Sequence, residues 1–303
     1  MTALPKARRA GFTMVELLVV ILIIGVLASL LLAGFGAARR TARIATATAE
    51  MAQVANAVGA FKAKFNTGFI PAFRPGTTTG ARFRLLKSYS PNPETYPEFA
   101  YLRQLFPQIS EIDNGLPPAM AGELTPNQMM LFFLAGVNQQ GFSTNRAMPF
   151  TPSTSSDNRI GPFLEVSPGK IVGGHYVDPW GTPYAYFAFD PSLHNYPSAG
   201  WPRYDPAHPA DPAFTDLHPT ENVPMLATVP PPPGVKVLTP YVTPGTPSRA
   251  LNQKGFQIVS AGPDQIFGVG GTWIPGQGEY ISNGPGADDL SNFNNGPLGQ
   301  QSQ

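Results

Sequence analysis

From Met14 to Ala38 the chain carries a single ionisable side chain, Glu16, inside an otherwise nearly unbroken run of Leu, Ile, Val and Ala. As a helix, such a run covers a bilayer hydrocarbon core of about 30 Å. A cleaved secretory signal has a shorter apolar region, of about 7–15 residues, and then an A-x-A-like site. No convincing site of that kind follows here before Arg39. The sequence therefore reads as a membrane-inserted helix. Glu16 sharpens that reading, because a carboxylate near the end of an apolar span costs free energy and usually has a partner and a task. Its plainer alternative is an acid snorkelling from the helix end. Lys6, Arg8 and Arg9 precede the span, and Arg39, Arg40 and Arg43 follow it. The positive-inside count is a draw, so charge alone does not orient the helix.

The helical pattern continues past the apolar run. Ile44, Met51, Val58 and Phe65 recur every seven residues, with Val54 and Phe61 interleaved. This is the stripe of one apolar helical face, and the many alanines between residues 37 and 63 favour helix. Asn66-Thr67-Gly68 supplies stop residues, with Pro71 beyond. A helix from Phe12 to Phe65 would be roughly 80 Å long at 1.5 Å per residue. Its first half would pack among other apolar surfaces, and its second half would support a head. Gly25, Gly34 and Gly36 are the places where it could bend.

The stretch Arg8-Arg9-Ala10-Gly11-Phe12-Thr13-Met14-Val15-Glu16-Leu17 closely resembles the class III signal of prepilins and pseudopilins. The resemblance implies cleavage after Gly11 by a prepilin peptidase and methylation of the new N-terminal Phe12. It also implies a bacterial inner-membrane, single-pass protein with a cytoplasmic leader and a periplasmic head, assembled into a filament. In that family the acid corresponding to Glu16 pairs with the terminal amine of a neighbouring subunit. An opposite charge in a low-dielectric surrounding offsets the desolvation of both groups. Gly11, having no Cβ, lets a peptidase approach the backbone.

Beyond residue 70 the chain is punctuated by turn formers, in keeping with its 35 prolines and 31 glycines. Residues 72–98 and 143–160 read as loop. Short helices are expected at 99–106 and at 126–136, the second with Pro126 at its start and Gly136 at its stop. Residues 190–250 read as an irregular surface insertion or a partly disordered segment, with the run Pro230-Pro231-Pro232-Pro233 favouring extended polyproline geometry. Strand signals cluster at 174–189, where Asp178-Pro179-Trp180-Gly181 is a turn followed by an aromatic-rich strand, and at 254–264. Two strands joined by a long excursion suggest an antiparallel sheet packed on the amphipathic helix.

The fold class expected is α+β. It comprises a long N-terminal helix, a small antiparallel sheet and long Pro/Gly-rich loop insertions. The chain divides into a leader (1–11), a transmembrane helix (12–36), its amphipathic continuation (37–68) and a head (69–303) with insertions at about 72–170 and 190–253.

The segments Asp178 to Tyr184, Ser260 to Asp264 and Asp288-Asp289-Leu290-Ser291-Asn292-Phe293 also resemble the major pseudopilin of type II secretion systems. That resemblance implies a structural role in protein secretion and a closing loop that binds calcium. By residue chemistry Asp264, Asp288 and Asp289 are reasonable hard-cation ligands, or equally solvated turn formers. The family's Asp-Gly is here Asp264-Gln265, and the material between the blocks is longer than in typical members.

Other classes find little support. The formal net charge of +1 gives no electrostatic case for nucleic acid. The absence of cysteine excludes disulfides and thiol chemistry. His175, His194, His208 and His218 lack metal-ligand spacing, there is no G-x-S-x-G elbow or P-loop, and Gly268-Val269-Gly270-Gly271 opens no helix. A non-enzymatic filament subunit is expected, either of a secretion pseudopilus with other pseudopilins or of a type IV pilus with an adhesive or display role.

Overall fold

The computed structural model describes residues 13–75, 82–154, 158–191, 196, 201–202, 237–245, 249–252, 255–281, 284 and 286–300. The side chains of 30–34, 201–202, 237 and 279 lie outside that description. Gly11, Phe12, His194, His208, His218 and the polyproline run Pro230–Pro233 also fall outside it. The protein is α+β, with two compact units, Met1–Arg43 and Ile44–Gln303.

Helix α1 spans Met14–Phe65. It ends as its stop residues dictate: Asn66 takes a left-handed φ of 49°, and the Thr67 amide donates back to the Lys62 carbonyl at 3.2 Å. This is the Schellman arrangement, which satisfies a carbonyl left open by the last turn. Within the second unit the heptad stripe faces inward. Met51, Val54, Val58 and Phe61 are buried, and Ile44 and Phe65 pack against the same core. Burying one such side chain contributes about 1.5–3 kcal/mol.

The remaining elements in chain order are β1 (Phe83–Leu85), α2 (Pro97–Leu105), β2 (Gly122–Leu124), α3 (Pro126–Ala135), β3 (Phe142–Ser143), β4 (Arg159–Ile160), β5 (Ile171–Val172), β6 (His175–Tyr176), β7 (Ala185–Ala188), β8 (Trp201–Pro202), β9 (Val237–Leu238), β10 (Tyr241–Val242), β11 (Phe256–Ser260), β12 (Gly271–Thr272) and β13 (Leu290–Ser291). The main sheet is antiparallel, in the order β13-β11-β7. Its register sets Ile258 opposite Tyr186 and Ser260 opposite Leu290. The other pairs are two-stranded and antiparallel, apart from the parallel pair β10-β12.

The two faces of this sheet bury different cores, as the period-2 geometry of strands requires. Tyr184, Tyr186 and Ile258 belong to the core that contains α1 and α3. Ala185, Phe187 and Val259 belong to a second core with Leu238, Tyr241, Phe267 and Tyr280. Helix α3 is buried almost all round, Gln128 being its one residue outside the buried set. It begins with a capping box between Thr125 and Gln128 and stops at Gly136, whose φ is 78°.

The segment 72–98, expected as loop, is more ordered than that. Phe83, Leu85 and Tyr89 are completely buried, and β1 pairs with β2 far along the chain. A three-residue strand shows no usable periodicity in sequence. Its partner, not its local pattern, makes it a strand.

Candidate functional site: the apolar helix and the convergent acidic turns

The N-terminal site is built from α1 itself. From Met14 to Leu27 every bulky apolar side chain is exposed; Leu17, Leu18, Leu22 and Ile24 are all near 60%. Contiguous apolar exposure on this scale marks a surface that another apolar phase or partner covers. Counted over the described residues, no helix is long and apolar enough to cross a membrane. The described side chains of the run break off at Ser29 and resume at Phe35, and the sequence between them is Leu30-Leu31-Leu32-Ala33-Gly34.

Glu16 is not a bare acid. Its Oε2 accepts from both the backbone amide and the hydroxyl of Thr13, each at 2.8 Å, and the Thr13 Oγ1 accepts from the Glu16 amide at 3.2 Å. This is a capping box at the first turn of α1. The Thr13-x-x-Glu16 spacing carries that signal in sequence, and a reading of Glu16 as acid alone passes over Thr13. The geometry gives Glu16 a partner within its own chain.

In the head, the three separated sequence blocks meet. Asp178 heads its turn: Oδ1 accepts from the amides of Trp180 and Thr182, both at 2.9 Å, and Gly181 sits at φ 94°. The other oxygen, Oδ2, accepts from the Ser260 hydroxyl at 2.6 Å, which joins the first block to the second. Burial pushes the Asp178 carboxyl up to about 6, against the downward pull of those hydrogen bonds and of the Lys170 charge. The third block docks on β11. Asn292 donates its amide to the Ile258 carbonyl at 3.2 Å, and its Oδ1 accepts from the Ile258 amide at 3.1 Å.

Tyr184, the last residue of the first block, ties the sheet to α1. Its hydroxyl donates to Glu50 Oε2 at 2.7 Å, and Lys170 Nζ lies 2.7 Å from Glu50 Oε1. Asn127 of α3 clamps the same place, donating to the carbonyls of Tyr176 and Tyr184 and accepting from the Tyr176 amide. Gln257 does the equivalent work on the opposite face, with bonds to both backbone groups of Tyr241. Glu50, Asn127, Lys170 and Gln257 have no local sequence signal, because the partners named above lie 16 to 134 residues away.

Asp264, Asp288 and Asp289 are brought together. The Asp264 amide donates to Asp288 Oδ2 at 3.1 Å, and Asp264 Oδ1 accepts from the Ile266 amide at 2.8 Å. Asp289 is fully buried; its Oδ2 accepts from the Gly268 amide at 2.8 Å and from the Tyr241 hydroxyl at 3.2 Å. Burial, helped by the charges of Asp288 and Asp264, pushes its carboxyl well above the usual range, while the Gly268 and Tyr241 bonds pull it down. Asp289 Oδ1 is buried with no hydrogen-bond partner. As a donor set for a hard cation, the trio offers that one orphaned oxygen and two carboxylates engaged with backbone amides. Among the described residues no cluster of three or more His, Asp or Glu side chains is arranged to hold a metal. At Gln265, where the pseudopilin pattern has glycine, φ is 62°, so the turn keeps the left-handed geometry that glycine serves.

Comparison with known proteins bears on the N-terminus. Residues 6–32 match the prokaryotic N-terminal methylation motif. The match takes in Gly11, Phe12, the Thr13–Glu16 box and most of the apolar run. It supports a prepilin-type, type IV pilin-like subunit of a pilus or pseudopilus, processed by a prepilin peptidase, membrane-anchored through this segment and built into a filament. No curated protein and no solved structure matches the chain.

Proposed function

We propose that the chain is a structural, non-enzymatic subunit of a type II secretion pseudopilus. It enters the bacterial inner membrane as a single span over residues 12–36, with the head in the periplasm. It is cut after Gly11, methylated on Phe12, and assembled with other pseudopilins through Glu16. The observation that carries this reading is the exposed apolar face of α1 from Met14 to Leu27, lying within the methylation-motif match. Such a face is stable only in lipid or among other apolar helices.

The choice of pseudopilus over pilus is supported by the meeting of Asp178–Tyr184, Ser260–Asp264 and Asp288–Phe293 on one sheet, through the Asp178–Ser260 bond and the Asn292–Ile258 pair. Calcium at Asp264, Asp288 and Asp289 belongs to the same proposal. The buried Asp289 Oδ1 without a hydrogen-bond partner is the oxygen that a divalent cation would engage.

Glu16→Ala tests the assembly step. The variant is expected to be cleaved and methylated normally yet to form no filaments; normal filaments from it would refute a role for Glu16 in assembly. Gene surroundings separate the two kinds of filament. Secretion ATPase and secretin genes alongside support the pseudopilus, and a retraction ATPase gene supports the pilus.

A further inference from the structure

Arg39, Arg40 and Arg43 follow the apolar run directly and are all exposed on α1. No Asp or Glu occurs between Leu17 and Ala49. The next acid, Glu50, is already engaged by Lys170 and Tyr184. Among the described residues none of the three arginines forms an ion pair. Arg39 and Arg43 are one helical turn apart on one face, with Arg40 beside them, so three positive charges share a short arc of helix. Arg39 also lies over the exposed Phe35 ring, 5.7 Å from its centroid.

The length of the apolar run sets where these charges come to rest. Phe12 to Ala38 spans about 40 Å as a helix, against a hydrocarbon core of about 30 Å and about 40–45 Å with both headgroup layers. With Phe12 at one interface, Arg39 emerges among the headgroups of the opposite leaflet. Arginine stems lie along apolar surface while the guanidinium reaches phosphate, which it can bind with two parallel hydrogen bonds.

We propose that Arg39, Arg40 and Arg43 form a cationic collar that binds the phosphates of anionic phospholipids on the head side of the membrane, an inference that rests on the membrane-inserted reading above. Bilayer lipid is favoured over free phosphate because the apolar run delivers the collar to headgroup depth. Processing gives the collar a second consequence. The precursor carries Lys6, Arg8 and Arg9 at one end of the span and the three arginines at the other. Cleavage after Gly11 removes the first set. The side-chain cations then remain at the head side only, with the Phe12 amine as the new charge at the other end.

The test uses the processed full-length chain in phosphatidylcholine bilayers containing trace spin-labelled phosphatidylglycerol or spin-labelled phosphatidylcholine. The fraction of each label immobilised by protein is read by electron paramagnetic resonance. A several-fold preference for phosphatidylglycerol is expected, on the scale of up to about fivefold per basic residue at an anionic surface. It should vanish in the triple Arg→Gln variant, persist in the triple Arg→Lys variant, and shrink in about 1 M salt, where the screening length is about 3 Å. Inorganic phosphate at matched ionic strength should leave the preference intact, and its loss there would reassign the site to free phosphate and overturn the lipid assignment. Equal immobilisation of both labels by the wild type would overturn the collar while leaving membrane insertion standing. If the Arg→Gln variant then also failed to form filaments, the cluster would belong to an acidic surface of a neighbouring subunit. Immobilisation of neither label would overturn the collar and the membrane-inserted reading together.

Discussion

The Asp178–Ser260 junction makes a quantitative statement about pH. Asp178 is 2% exposed, and burial raises its carboxyl from 3.8 to about 6. The unfolded chain leaves it near the ordinary value, so between roughly pH 4 and pH 6 the folded state holds a proton that the unfolded state has lost. Stability associated with this group is therefore fully present at low pH and is lost as pH rises through 6. A difference of about two units corresponds to about 3 kcal/mol, since one unit is about 1.4 kcal/mol. Asp178→Asn keeps an oxygen for the Trp180 and Thr182 amides but cannot titrate. Urea unfolding of the head, residues 44–303, measured from pH 4 to pH 7 in both forms, isolates the term. The variant should gain on the wild type by about 3 kcal/mol across that window, whatever its offset at pH 4. Curves that run parallel would refute the assignment of a raised carboxyl at Asp178, because the other titrating groups are common to both proteins.

Three further outcomes follow from the packing of the head. Tyr184→Phe removes the hydrogen bond to Glu50 while keeping the ring in its core, and should cost about 1.5–3 kcal/mol in chemical denaturation, the range for bonds to charged groups. At Gly262, φ is 69° and an added Cβ would lie 2.3 Å from the Asp288 carbonyl oxygen. Gly262→Ala should therefore destabilise by about 3 kcal/mol, from left-handed strain and overpacking combined. Calorimetric titration of the head with Ca²⁺ should give binding heat and a raised melting temperature, both lost in Asp289→Asn; absence of both in the wild type would end the calcium proposal.

Much of the scaffold was legible because its signals are local. The heptad stripe from Ile44 to Phe65, the Asn66 stop, the Pro126–Gly136 limits of α3 and the Asp178–Gly181 turn each state their geometry within a few residues. What escaped is long-range. Glu50 looks like an ordinary helix acid until Tyr184 and Lys170 close on it. Strand β1 has three residues and no pattern of its own. The second core under Phe187 and Val259 depends on Leu238 and Tyr241 arriving from the long excursion and on Tyr280 from beyond β11. At the N-terminus the apolar run and Glu16 were plain, and the Thr13 half of the capping box emerges in the first turn of α1. For the acidic turns, sequence supplied the residues, and folding showed that Asp289 is the buried one with an oxygen to spare.

A processed filament subunit carries a defined mature N-terminus, and that end of the chain can be read chemically. Full-length protein co-expressed with a prepilin peptidase can be isolated from membranes and its N-terminal peptide read by mass spectrometry. Loss of Met1 to Gly11 and a chain that begins with N-methylated Phe12 are expected. An intact leader, or a cut placed anywhere other than between Gly11 and Phe12, would contradict that processing.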